Sequence, residues 1–145
     1  MEKVSLLKSL GALQALQDNI HAWSDKQFDN GQNRPNRSIS ISHHLQKESK
    51  ELTEALEKFI NKIEALKDDI INDELHEFES EELGELRKNC IKEAADCFML
   101  LLDSMAHINC SVWTLACATE IKLEENKKRK WGKPDENGVV EHIRE

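Results

Sequence analysis

Four carboxylates in this chain fall into two pairs with the same spacing. Glu48 and Glu51 stand three residues apart, and so do Glu93 and Asp96. In a helix that step returns to one face, so each pair presents two acids in one direction. Asp103 extends the second face seven residues beyond Asp96, and His44 lies one turn before Glu48. Asp96 is set among Ala94, Ala95, Cys97, Phe98 and Met99. A carboxylate embedded in apolar sequence is costly unless it is paired or holds a metal. Several that face one another cannot all ionise near neutral pH without a cation. Ligands that are all oxygen favour Mg²⁺ or Mn²⁺ over zinc. Taken alone, Glu48 and Glu51 read more readily as surface decoration than as a site, since charged residues are mostly exposed. The corresponding alternative for Glu93 and Asp96 is a salt bridge to a basic residue of the last helix.

A second set is cationic. Lys122, Asn126 and Arg129 recur at i, i+4 and i+7, and a Lys and an Arg bracketing an amide donor suit phosphate oxygens. A basic helix end answering the macrodipole explains the neighbouring Lys127, Lys128 and Lys130 as well, but not the Asn held in register between the two cations. Carboxylates that hold a metal, beside cationic donors, fit a polyphosphate. The chain has no GxxxxGK[ST] loop, so this is phosphoryl chemistry on another scaffold. Three tryptophans complete the set. Trp23 would stack on a base, or serve core packing or a dimer contact; Trp131 would order the C-terminal tail over the site; Trp113 reads as core.

These residues must be positioned by helices. Leu6, Leu7, Leu10, Leu13, Leu16, Ile20 and Trp23 recur at steps of three and four, which predicts an amphipathic helix over residues 5–28. The polar stretch 29–38, with Gly31 and Pro35, predicts a loop. A second helix is expected over 40–66, with Leu45, Leu52, Leu56, Phe59, Ile63 and Leu66 on its apolar face. Residues 67–88 are crowded with acids and read as a connector with helical pieces. A third helix, 83–107, has an apolar centre on nearly all sides and is expected to be the most buried element. Ser111 is the expected N-cap of a fourth helix reaching residue 129. Pro134 and Gly138 mark an irregular tail. The whole is a single all-α domain, a four-helix bundle.

Composition agrees. Lys plus Arg number 20 and Asp plus Glu 28, a net charge of −8, which argues against nonspecific nucleic-acid binding. The longest apolar run, 97–102, is too short for a membrane span. The N-terminal residues carry no signal-peptide pattern. Cys90, Cys97, Cys110 and Cys117 contain no Cys-x-x-Cys pair and are expected to be buried free thiols in a reducing cytoplasm.

The ordered set resembles the all-α nucleotide pyrophosphatases, the MazG and dimeric dUTPase superfamily. The resemblance runs through Ile20-His21-Ala22-Trp23 with Phe28, His44-Leu45-x-x-Glu48-x-x-Glu51, Glu93-Ala94-Ala95-Asp96 leading to Asp103, Lys122-x-x-x-Asn126-x-x-Arg129-x-Trp131, and Glu141-His142-Ile143-Arg144. In that detail it is similar to the MazG-like dATP/dGTP diphosphohydrolases of bacteriophages and prophages, the MazZ group. The separation of Glu51 from Glu93 is longer than the superfamily usually shows, and the acidic connector accounts for the excess. The resemblance implies hydrolysis of a nucleoside triphosphate between the α and β phosphates, giving monophosphate and pyrophosphate. It implies two or three Mg²⁺ ions on Glu48, Glu51, Glu93 and Asp96, an activated water with Glu51 as its base, and phosphate contacts from Lys122, Asn126 and Arg129. Asp103 would orient Lys122 or Arg129, and His44 would touch a phosphate or a ligand carboxylate. A purine substrate, a homodimer or homotetramer, and a bacterial or phage-infected cytoplasm follow from the resemblance too.

Three rivals remain. One is the same chemistry on dUTP or dCTP. Another is a non-catalytic helical module, which would not need Asp96 in apolar sequence. A di-iron carboxylate bundle needs Glu-x-x-His on two helices, and no Glu here has a His three residues later.

Overall fold

The computed structural model describes residues 2–29, 31, 34–70 and 77–143. Four helices follow one another: α1 (Glu2–Phe28), α2 (Arg37–Ile70), α3 (Glu77–His107) and α4 (Val112–Lys127). The expected all-α bundle is the fold. α2 and α3 form the most extensive pairing. They run antiparallel, since Lys62 bonds Glu82 at 2.7 Å while Ser104 Oγ donates to the Ser38 carbonyl at 3.3 Å at the other end. α1 packs on the C-terminal half of α3, and α4 returns along α1.

The inward residues of α2 and α3 explain that pairing. On α2 the buried or half-buried positions include Ile41, Leu45, Glu48, Leu52, Ala55, Phe59, Ile63 and Leu66; on α3 they include Leu83, Leu86, Cys90, Glu93, Cys97, Leu100, Ser104 and His107. Both rows step by three and four, the spacing of a helix seam. Glu48 and Glu93 occupy seam positions where an apolar residue would serve packing better.

Several expectations need correction. The helical part of the acidic connector, residues 77–88, forms the first turns of α3, which starts at Glu77 rather than residue 83 because Leu83 and Leu86 already sit in the seam; residues 71–76 lie outside the described residues, as do Arg144 and the side chains of Leu6 and Leu7. α3 is the most buried helix among the described residues, as expected, but not on nearly all sides. Only its seam is covered, and Ile91, Phe98, Met99 and Leu101 stay exposed, because α1 and α2 cover one side of it. Asp96 is accordingly half-buried rather than sunk in a core. Leu56 is exposed on α2 and Leu16 on α1. The buried stripe of α1 runs through Leu10, Leu13, Gln17, Ile20 and Ser24, so two of its members are polar. Trp113 is exposed, and of the four free thiols only Cys90 is buried while Cys117 is fully outside.

The helix ends follow local chemistry. Asn109 adopts φ 56° after α3, with Cys110 N–H donating to Met105 and Asn109 N–H to Ala106, the Schellman closure that Asn tolerates. Ser111 caps α4 as expected, its hydroxyl accepting from Thr114 N–H. The tail is a small hairpin, bridged at Trp131 and His142 and turned at Gly138, where φ is 77°. Trp131 Nε1 donates to the Asn126 carbonyl at 3.2 Å, pinning the hairpin to the end of α4. Among the described residues, no helix is long and apolar enough to cross a membrane.

Candidate active site

The seam between α2 and α3 brings three of the four acids together. One carboxylate oxygen from each of Glu48, Glu51 and Glu93 lies within 4.8 Å of the others. Two come from one helix turn of α2 and the third from α3, so the bundle itself joins acids that the sequence keeps far apart. Asp96 stands one turn further along α3 and, with Glu48, enters the wall of an adjoining cavity of about 410 Å³. That is within the size range of ordinary small-molecule sites.

Positive charge already leans on the cluster. Lys47 Nζ donates to Glu51 Oε1 at 2.8 Å and lies 3.5 Å from Glu48 Oε1, and Lys92 Nζ is 3.9 Å from Glu93 Oε1. The Lys47 ammonium holds the Glu51 carboxyl below its usual range and is itself raised by it. His44 Nε2 is 2.8 Å from Glu48 Oε1, one helix turn away on the same face. Three oxygen donors that repel one another and attract ammonium groups fit a hard divalent cation. The Cys97 thiol beside them is pushed up by burial and by the negative charge of Glu48 and Asp96, which makes it a poor nucleophile.

The cavity wall carries two chemically different sets of side chains. Glu48, Asp96 and Asp103 supply carboxylates, while Trp23 and Phe28 supply an aromatic corner, their rings edge-to-face at 5.5 Å. Trp23 is 54% exposed although it lines the wall, so a flat ligand can reach it. Arg37 lies over the Phe28 ring at 5.2 Å and bonds Ser40 Oγ through Nη1. Its Nε is buried without a partner among the described residues.

Some expected residues are elsewhere. Lys122, Asn126, Arg129 and Trp131 do not line this cavity. Lys122 pairs with Glu125, and Arg129 Nη1 donates to Asn126 Oδ1 at 3.0 Å. Asp103 meets His21 Nδ1 at 3.1 Å rather than Lys122 or Arg129. The residues that spacing did not single out as site members are Lys47, Arg37, Ser24 and Ser40. Lys47, one turn before Glu51, carried the one available signal, an i,i+4 ion pair.

A family model described as dATP/dGTP pyrophosphohydrolase matches residues 69–145. That stretch holds Glu93, Asp96 and the Lys122-Asn126-Arg129 stripe; Glu48 and Glu51 lie outside it and reach the site through the fold. No curated protein and no solved structure matches the chain.

Proposed function

The chain belongs to the dATP/dGTP pyrophosphohydrolase family, hydrolases that release pyrophosphate from nucleotides, and from there we propose that it cleaves the purine deoxynucleoside triphosphates dGTP or dATP between the α and β phosphates with a divalent cation. The observation that carries this reading is the convergence of Glu48, Glu51 and Glu93 within 4.8 Å, beside a cavity that Asp96 shares. These four residues would hold Mg²⁺ or Mn²⁺, two or three ions. The bound cation supplies Lewis-acid polarisation of phosphate oxygens and of water. Glu48, Glu51 and Glu93 would hold that cation at the seam, where it would offset their repulsion of the phosphates, and His44 fixes the Glu48 carboxylate. Trp23 and Phe28 take the face of the base, and the unpartnered Arg37 Nε supplies a donor to the ligand. The motif order supports a place among the MazG-like enzymes of the phage type.

Lys122, Asn126 and Arg129 would bind phosphates from a second copy of the chain. Their distance from the cavity within one chain supports this, as do the apolar residues left uncovered on α3 and α4, among them Ile91, Phe98, Trp113 and Ile121. The working form would be a homodimer or homotetramer.

Pyrophosphate release from dATP, dGTP, dCTP, dUTP and GTP, each with Mg²⁺ and with EDTA, tests the reading beside Asp96→Asn. Release from dGTP or dATP is expected, abolished by EDTA and reduced about a hundredfold or more in the variant. Preference for dUTP or dCTP would overturn the purine assignment. No release by a folded sample would overturn the site.

A further inference from the structure

At the cavity wall that Asp103 lines, α1 and α3 bring together a second donor set of different chemistry. His21 comes from α1, and Asp103 and His107 come one turn apart from α3; one ligand atom from each lies within 4.8 Å of the others. Asp103 Oδ1 is 3.1 Å from His21 Nδ1 and 3.6 Å from His107 Nε2. The second distance is too long for a hydrogen bond. His107 has no exposed side-chain surface, and neither ring nitrogen has a hydrogen-bond partner among the described residues.

A buried imidazole with both nitrogens orphaned is unusual. We propose that His21, Asp103 and His107 form a binding site for a transition-metal dication of the Zn²⁺ class, separate from the all-carboxylate cluster. Tetrahedral bonds of about 2.0–2.1 Å place neighbouring ligand atoms about 3.3 Å apart, and the two separations above bracket that value. Two imidazoles and one carboxylate select zinc, cobalt or nickel over magnesium. The Glu48–Glu51–Glu93 set selects the reverse, so the two sites divide the metals by ligand hardness. His21 is partly exposed and Asp103 lines the nucleotide cavity, which leaves the remaining coordination position to water or to a ligand in that cavity. The ion would also tie α1 to α3.

Titration of the full chain with Zn²⁺ and Co²⁺, in a large excess of Mg²⁺, tests this. One ion per chain is expected, with a visible Co²⁺ band of tetrahedral intensity and a Zn²⁺-dependent rise in Tm. His21→Gln changes a partly exposed ligand and should weaken Zn²⁺ binding at least about tenfold, the loss that even an outer-sphere partner causes. His107→Gln should do the same where circular dichroism shows it folded; the His21 variant decides otherwise. Glu51→Gln should leave Zn²⁺ binding intact. Absence of binding under excess Mg²⁺, binding indifferent to His21, or loss in Glu51→Gln would each overturn the proposal.

Discussion

Arg37 lines the cavity, stacked on Phe28 and anchored to Ser40, with its Nε buried and without a partner among the described residues. A buried donor that lacks a partner gains most from a ligand acceptor. Arg37→Ala should therefore raise KM for the substrate about ten- to a hundredfold, the value of one charge-assisted hydrogen bond, with a smaller change in kcat; steady-state kinetics checks it. Asp29 is the other informative residue. It is buried at the turn between α1 and α2, and it accepts from Arg34 N–H at 2.8 Å and from Arg34 Nε at 2.6 Å. Those bonds hold its carboxyl below the usual range. The stabilisation is complete above the unfolded-chain value of about 3.9 and is lost as pH falls through the lower folded value. Urea unfolding should show wild type losing stability below about pH 5, and Asp29→Asn, already weaker at neutral pH, losing less over the same window.

At the scale of elements, Gln17 joins three helices. Its Nε2 donates to the carbonyls of Leu102 and Cys110, and its Oε1 accepts from Val112 N–H, all at 3.0 Å. Val112 opens α4 and is the buried residue of that helix, so this amide sets where α4 leaves α3. A second acceptor, Gln14 Oε1, shares the Val112 N–H. Gln17→Leu leaves the two carbonyls without this donor and should cost about 2 kcal/mol, read as a lower urea midpoint with an unchanged slope. The α2–α3 seam shows the opposite compromise: Glu48 and Glu93 occupy packing positions, and the site is placed where stability is given up.

The whole molecule buries few large side chains. Ile20, Leu102 and Val112 form a small core with Leu10 and Leu13, while α4 is exposed along nearly all of its length. Under the proposed function this apolar surface would face a second copy; Lys122 and Asn126 lie on α4, which carries much of it, and Arg129 follows just past its end. A composite site has a quantitative signature. Glu48→Gln and Arg129→Ala chains, each inactive alone, should recover about a quarter of wild-type activity when mixed equally and allowed to exchange, because a closed symmetric assembly then pairs intact acids with intact cations in that share of sites. No recovery despite verified exchange would place both sets in one chain.

The sequence by itself determined the four helices, the Ser111 cap and the pairing of acids by face, because helical periodicity and capping are local. It also carried the family, through ordered motifs. Spacing could not show that Gln17 and Ser24 belong to the buried stripe of α1, nor that the apolar centre of α3 stays partly uncovered, because burial depends on how many neighbours a helix has. It could not join Glu93 to Glu48 and Glu51, bring His21 to Asp103 and His107, or set Lys122, Asn126 and Arg129 apart from the cavity. Those distances run between helices, and only the packing of α1, α2 and α3 decides them.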